Sequence, residues 1–140
     1  MSKEITEITA KLIDVLQTRF RFSHFREGQL ESLITLMTHS RLLCIQPTGY
    51  GKSLLYQLPS LLIEGMTLVI SPLLALMRDQ VEQLNHRFGI SATSLCTDQS
   101  REENTIAMRD ILSLKIRILF IAPEQLESIE RFQFLLNLYC

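Results

Sequence analysis

Three short apolar runs constrain this chain more than anything else in it: "LLCI" (Leu42 to Ile45), "TLVI" (Thr67 to Ile70) and "IRILFI" (Ile116 to Ile121). Each is followed by a proline and then by a turn or a helical pattern. Apolar on both faces, they read as buried strands of a parallel sheet, and parallel strands need long crossovers between them. A weaker fourth strand is "ATSLC", Ala92 to Cys96. Helical patterns fill the gaps: Lys52 to Ile63, Leu73 to His86 with Leu74, Met77, Val81 and Leu84 inward, and Arg101 to Leu114. Strand and helix therefore alternate, which predicts an α/β layer structure with right-handed crossovers.

Two further helices precede the first strand. Ile5, Ile8, Leu12, Val15 and Leu16 recur at helical spacing in a helix ending near Phe20. A second follows Gly28, with Leu30, Leu33, Ile34 and Met37 on one face. The connector between them, "RFRFSHFREGQ", is aromatic and basic. Residues 1–40 thus read as an N-terminal helical segment and residues 41–140 as the α/β part. Ser100 and Glu103 have capping-box spacing, and Gly89 sits where a helix C-cap belongs. Pro59 predicts a kink or early stop in the helix after "GYGKS". The final "ERFQFLLNLYC" reads as helical and still apolar.

Of the 140 residues, 46% are hydrophobic and 21% charged, so the chain should fold around a core. Its 14 basic and 15 acidic residues leave a net charge of -1. No overall basic field advertises nucleic acid, so any such contact is local. Cys44, Cys96 and Cys140 lack metal-ligand spacing and read as buried thiols of a reducing compartment. His24, His39 and His86 are scattered and read as surface residues. The charged N-terminus is unlike a signal peptide, and the longest apolar stretch, Ser60 to Met77, is broken by Glu64, Gly65 and Pro72. No membrane contact is expected, and the cytoplasm is the expected compartment.

Chemistry concentrates in "QPTGYGKS", Gln46 to Ser53. A strand pattern runs into a glycine-containing loop, and Gly51-Lys52-Ser53 opens a helical pattern. Residues Pro47, Thr48, Gly49, Tyr50, Gly51, Lys52 and Ser53 would wrap a triphosphate, with backbone N–H groups and the helix N-terminus converging on its oxygens. Lys52 would reach the β- and γ-phosphates as the catalytic cation, and Ser53 would ligate Mg²⁺. The G-x-x-x-x-G-K-[ST] pattern fails only at its first glycine, here Gln46, which opens the loop and needs no close phosphate approach. A chance strand-turn-helix with an exposed lysine is the plain alternative.

Four segments in order resemble the RecQ family of superfamily 2 DNA helicases: "FRFSHFREGQ", "PTGYGKSLLYQLP", "VISPLLALMRDQVEQL" and "FIAPEQL". The resemblance covers residues 20 to 127. It implies a P-loop NTPase RecA-like lobe and ATP-dependent 3′ to 5′ unwinding of DNA in repair or recombination, with ATP and Mg²⁺ as cofactors. It further implies that Phe22 stacks on adenine, that Gln29 reads the adenine edge through its amide, and that Arg26 contacts the base or orders the pocket. Glu27 replaces a proline usual in the family, which makes the connector less rigid.

Ser71, Pro72, Arg78 and Gln80 fall in the third of these segments and Pro123 and Glu124 in the fourth, all implied by the resemblance to contact single-stranded DNA or a duplex junction. Pro72 fits a first-turn helix position. The plain reading of Arg78 and Gln80 is a solvated helix face. Gln125 replaces a basic residue common in the family, so one backbone contact is expected to be lost.

Such helicases also carry a D-E-A-H strand and a second RecA-like lobe, neither of which precedes Cys140. The expectation is an incomplete lobe, inactive alone, whose partners are DNA and the remainder of the helicase. By the resemblance it would be nucleoid-associated in a bacterium or nuclear in a eukaryote. A truncated remnant that binds nucleotide or DNA without turnover is the competing reading, and an unrelated P-loop enzyme a third.

Overall fold

The computed structural model describes residues 2–127 together with 130, 133, 134, 137 and 138. It divides into two compact units, residues 1–63 and 64–140.

In the first unit, α1 spans Lys3–Val15, and the Ser2 hydroxyl accepts the Ile5 N–H at 3.3 Å to satisfy one of its open donors. Leu12, Leu16 and Phe20 are buried at intervals of four residues, so one stripe faces inward. Past Val15 the helix widens into a π-helical turn, Leu16–Phe20, which Arg21 ends in the left-handed region at φ 58°. The expected end near Phe20 is therefore met. Helix α2, Gln29–His39, starts after Gly28 (φ 77°), packs on α1 and buries Leu33.

The run "LLCI" departs from expectation. Arg41 to Pro47 form no regular element, and no described residue pairs with them as a ladder. Leu42 and Cys44 are half-buried, while Leu43 and Ile45 are 85% and 84% exposed. The alternation is that of a strand, but a strand is completed only by a neighbour's N–H and C=O groups, and here none is supplied. Cys44 lies in this segment and so is only half-buried, contrary to expectation; Cys96 is buried, and Cys140 falls outside the described residues. Beyond the loop, α3 covers only Leu54–Gln57 before a 3₁₀ turn, Pro59–Leu61. Pro59 has no N–H to continue the ladder, which explains the early stop.

The second unit is a three-stranded parallel sheet in the order β1-β3-β2, with β1 at Thr67–Ile70, β2 at Ala92–Leu95 and β3 at Ile118–Ile121. Thr67 and Ala92 both pair with Ile118, and Ile70 and Leu95 both pair with Ile121. The central strand is buried throughout, as its all-apolar sequence requires. Helix α4, Leu74–Glu82, extends through a π-helical turn, Gln83–Phe88, to Gly89 at φ 63°, the expected cap. Met77 and Leu84 are buried, and Leu74 and Val81 half-buried. Helix α5, Arg101–Leu112, presents Ala107 and Ile111 to a core with Leu95, Leu119 and Ile121. The α/β expectation holds.

The side chain of Asn85 grips the start of edge strand β2: its Nδ2 donates to the Ala92 carbonyl at 2.9 Å and its Oδ1 accepts the Ala92 N–H at 3.0 Å. His24, His39 and His86 are exposed. Among the described residues no helix is long and apolar enough to cross a membrane. Of the closing "ERFQFLLNLYC", residues 131, 132, 135, 136, 139 and 140 lie outside the described residues, while Glu130, Gln133, Phe134, Asn137 and Leu138 are helical.

Candidate phosphate loop and strand-end rim

The first unit carries the phosphate loop. Gly49 (φ 83°) and Gly51 (φ 90°) occupy the positive-φ region that side chains disfavour, and turn bonds from Tyr50 N–H to Pro47 O and from Leu54 N–H to Gly51 O fold the loop around them. Connector residues hold the loop by its carbonyls. Arg26 Nη1 donates to Gly49 O at 2.8 Å, and Gln29 Nε2 donates to Gly51 O at 3.0 Å. The Tyr50 hydroxyl donates to the Glu27 carbonyl. A Cβ on Gly51 would lie 2.6 Å from Gln29 Nε2 and would displace that amide from its bond to the loop, while the φ of 90° itself favours glycine.

Anchoring the carbonyls has a consequence for the donors. In a planar trans peptide the C=O and the following N–H point opposite ways. With Gly51 O fixed on Gln29, the Lys52 N–H points away from the connector. Gly51, Lys52 and Ser53 directly precede α3, where helix geometry leaves N–H groups without intrahelical acceptors. Lys52 is exposed, and its Nζ donates to Gln46 O at 2.7 Å, so the ammonium folds back across the loop. The ion pair of Arg109 with Asp110 is exposed and lies on α5, away from this loop in the sequence. Arg26 and Lys52 are thus bonded to neutral carbonyls and keep their charge available for an anion.

The other implied nucleotide residues are placed as follows. Phe22 is 39% exposed, and its ring is 6.4 Å from that of buried Phe20 at 21° between planes. Gln29 is only 5% exposed, and its Oε1 accepts the Arg26 N–H at 2.9 Å. With one N–H already on Gly51, the amide retains one N–H and one lone pair. Pro47, Thr48 and Gly49 are exposed, and Ser53 is half-buried. The Ser53 side chain hydrogen-bonds the Tyr56 phenol, whose pKa is nonetheless raised because burial outweighs this bond and one from Gln57. Sequence reasoning missed the carbonyl struts; the only signal for them was the position of Gly28 and Gln29 one helix start away from the loop.

The second unit carries the strand-end rim. Ser71 N–H donates to Ile121 O at 3.1 Å and Ala122 N–H to Leu95 O at 3.2 Å, so the carboxyl ends of all three strands lie level. Ser71 Oγ accepts the Leu73 N–H at 3.3 Å, a local turn that delays the helix. Pro72 consequently lies ahead of the N-cap Leu73 rather than in the first helical turn, a correction to the sequence reading. Arg78 is exposed and Gln80 half-buried on α4; Pro123 and Glu124 are exposed in a 3₁₀ turn, Pro123–Glu127.

Between β2 and α5 the rim holds a polar network that the sequence reading did not single out. Gln99 Oε1 accepts the Cys96 N–H at 3.2 Å and its Nε2 donates to Ser94 Oγ at 2.8 Å, while Asn104 Nδ2 donates to Cys96 O at 3.2 Å. The capping box is complete: Ser100 N–H donates to Glu103 Oε2 at 2.7 Å and Glu103 N–H to Ser100 Oγ at 3.1 Å. These bonds, the backbone one foremost, hold the Glu103 carboxyl below its ordinary pKa, with a smaller contribution from the charge of Arg78. Among the described residues no three His, Cys, Asp or Glu gather to hold a metal.

Residues 26–138 match the family described as DEAD/DEAH box helicase. The chain is 38% identical over 133 residues to the ATP-dependent DNA helicase RecQ of Haemophilus influenzae, covering 95% of this chain and 21% of that one. It is 43% identical over 113 residues to the RecQ of Bacillus subtilis, 79% of this chain and 19% of that one. The ATP-dependent DNA helicase Q1 of Mus musculus is 38% identical over 124 residues, 87% of this chain and 19% of its own length. The chain spans about a fifth of the length of the curated relatives it matches. By its motifs, its parallel sheet and these matches, it belongs to the DEAD/DEAH box helicase family, among the RecQ helicases.

Proposed function

We propose that this chain is the ATP-binding portion of a RecQ-like, ATP-dependent 3′ to 5′ DNA helicase. The observation that carries the reading is the loop: two left-handed glycines, carbonyls turned back onto the connector, and the Lys52 ammonium lying across the turn. These features fit a triphosphate, with Lys52 neutralising the β- and γ-phosphates and Phe22, Arg26 and Gln29 serving the adenine. Mg²⁺ would be held by Ser53 together with the nucleotide's own oxygens. DNA would lie along the rim of Ser71, Pro72, Arg78, Gln80, Pro123 and Glu124, where helix starts and backbone N–H groups suit phosphate. Its remaining partner is the rest of a helicase, including the D-E-A-H segment and a second lobe.

Nucleotide binding without turnover is the second reading. Hydrolysis by this fold needs carboxylates to hold the metal and position water. DNA-stimulated ATP turnover and ATP affinity, each compared with Lys52→Ala, separate the readings. Lys52→Ala is expected to abolish measurable ATP binding, and equal binding by both proteins would overturn the site. Bound ATP with no turnover in the 140-residue chain would favour the second reading.

A further inference from the structure

Tyr50 stands between the two left-handed glycines of the loop, where a side chain is not needed to wrap phosphate. Its phenol is not left in solvent: the hydroxyl donates to the Glu27 carbonyl, and the residue is half-buried. The ring crosses Gly28 so closely that a Cβ there would meet Tyr50 Oη at 3.0 Å and Cζ at 3.9 Å. Glycine at 28 is therefore favoured by its φ of 77°, and a Cβ there would also press on the phenol above it. Together with the Arg26 and Gln29 struts to Gly49 and Gly51, Tyr50 makes three consecutive loop residues tied to one connector.

We infer that Tyr50 is a positioning residue whose hydroxyl tethers the phosphate loop to the connector, so that the loop is preformed before nucleotide arrives. The inference rests on the nucleotide-binding reading above. A loop that samples other shapes binds more weakly in proportion to the fraction of time it is competent. The tether acts on the loop and not on the base, so its loss weakens any ligand with the same phosphate chain equally.

The test measures binding of ATP and of inorganic tripolyphosphate to the wild-type chain, Lys52→Ala and Tyr50→Phe. The phenylalanine keeps the ring over Gly28 and removes only the hydroxyl. Expected for Tyr50→Phe is a roughly 2- to 10-fold weaker affinity for both ligands, the range of one net hydrogen bond, at a temperature where circular dichroism shows all three proteins folded. Unchanged affinity would overturn the tether, as would a loss confined to ATP, which would mark a base contact instead. If wild type and Lys52→Ala bind ATP alike, the nucleotide reading itself fails, and that result is distinct from either. Gly28→Ala gives an independent arm: its cost to ATP affinity should be smaller in a Tyr50→Gly background, where only the φ strain remains, and an equal cost in both backgrounds would contradict contact between the two residues.

Discussion

Arg21 shows how a single residue is held against its own preference. It closes the π-helical turn after α1 with φ 58°, a region that costs a residue with a Cβ about 1 kcal/mol or more. Its side chain is exposed, so nothing there offsets the strain by burial. Arg21→Gly is expected to stabilise the first unit by about 0.5–1 kcal/mol, the left-handed relief less the entropy of glycine. Urea unfolding at neutral pH checks this, and a loss of stability would mean that the guanidinium makes a contact worth more than the strain. The same logic at Gly49 and Gly51 was readable from sequence, because glycine at those two loop positions announces the positive φ. At Arg21 nothing in the letters announced it.

Among the elements, α5 is the one whose sequence and structure agree most closely. Ser100 and Glu103 signalled a capping box and the box is closed on both sides. The pH dependence follows. A carboxyl with a lowered native pKa contributes stability in full above its unfolded value, near the ordinary 4.5. That contribution is lost as pH falls through the lower native value. Glu103→Gln can keep the backward hydrogen bond but cannot titrate. The wild type should therefore lose its advantage over Glu103→Gln as a thermal melting series runs from neutral pH into acid, and a difference independent of pH would contradict the assignment. Helix caps and prolines are legible because their chemistry is local: Gly89 and Pro59 also act where the sequence placed them. The strand "LLCI" is a different kind of object. Its letters specify a half-formed bond pattern, and the other half belongs to whichever backbone lies beside it. Pro72 failed for a smaller reason, since Ser71 closes a turn that competes with the helix start.

For the whole molecule the decisive quantity is where Leu43 and Ile45 reside. Both are more than four-fifths exposed, in a segment with no ladder partner among the described residues. An exposed apolar side chain contributes little to folding, whereas full burial of one of this size is worth about 1.5–3 kcal/mol. Threonine is β-branched and suits an extended segment, so replacing both residues with it keeps strand propensity while reducing the apolar surface available for self-association. In the 140-residue chain, Leu43→Thr with Ile45→Thr should change unfolding free energy by no more than about 0.5 kcal/mol per site. Sedimentation should show less self-association in the double variant than in the wild type. In a longer protein that supplies strands beside this segment, the same pair of changes should instead cost several kcal/mol, since each side chain would then leave a core. Denaturant titration of the two lengths side by side makes the comparison. A large loss already present in the short chain would show that Leu43 and Ile45 are packed there, and that the open segment described above is closed in solution.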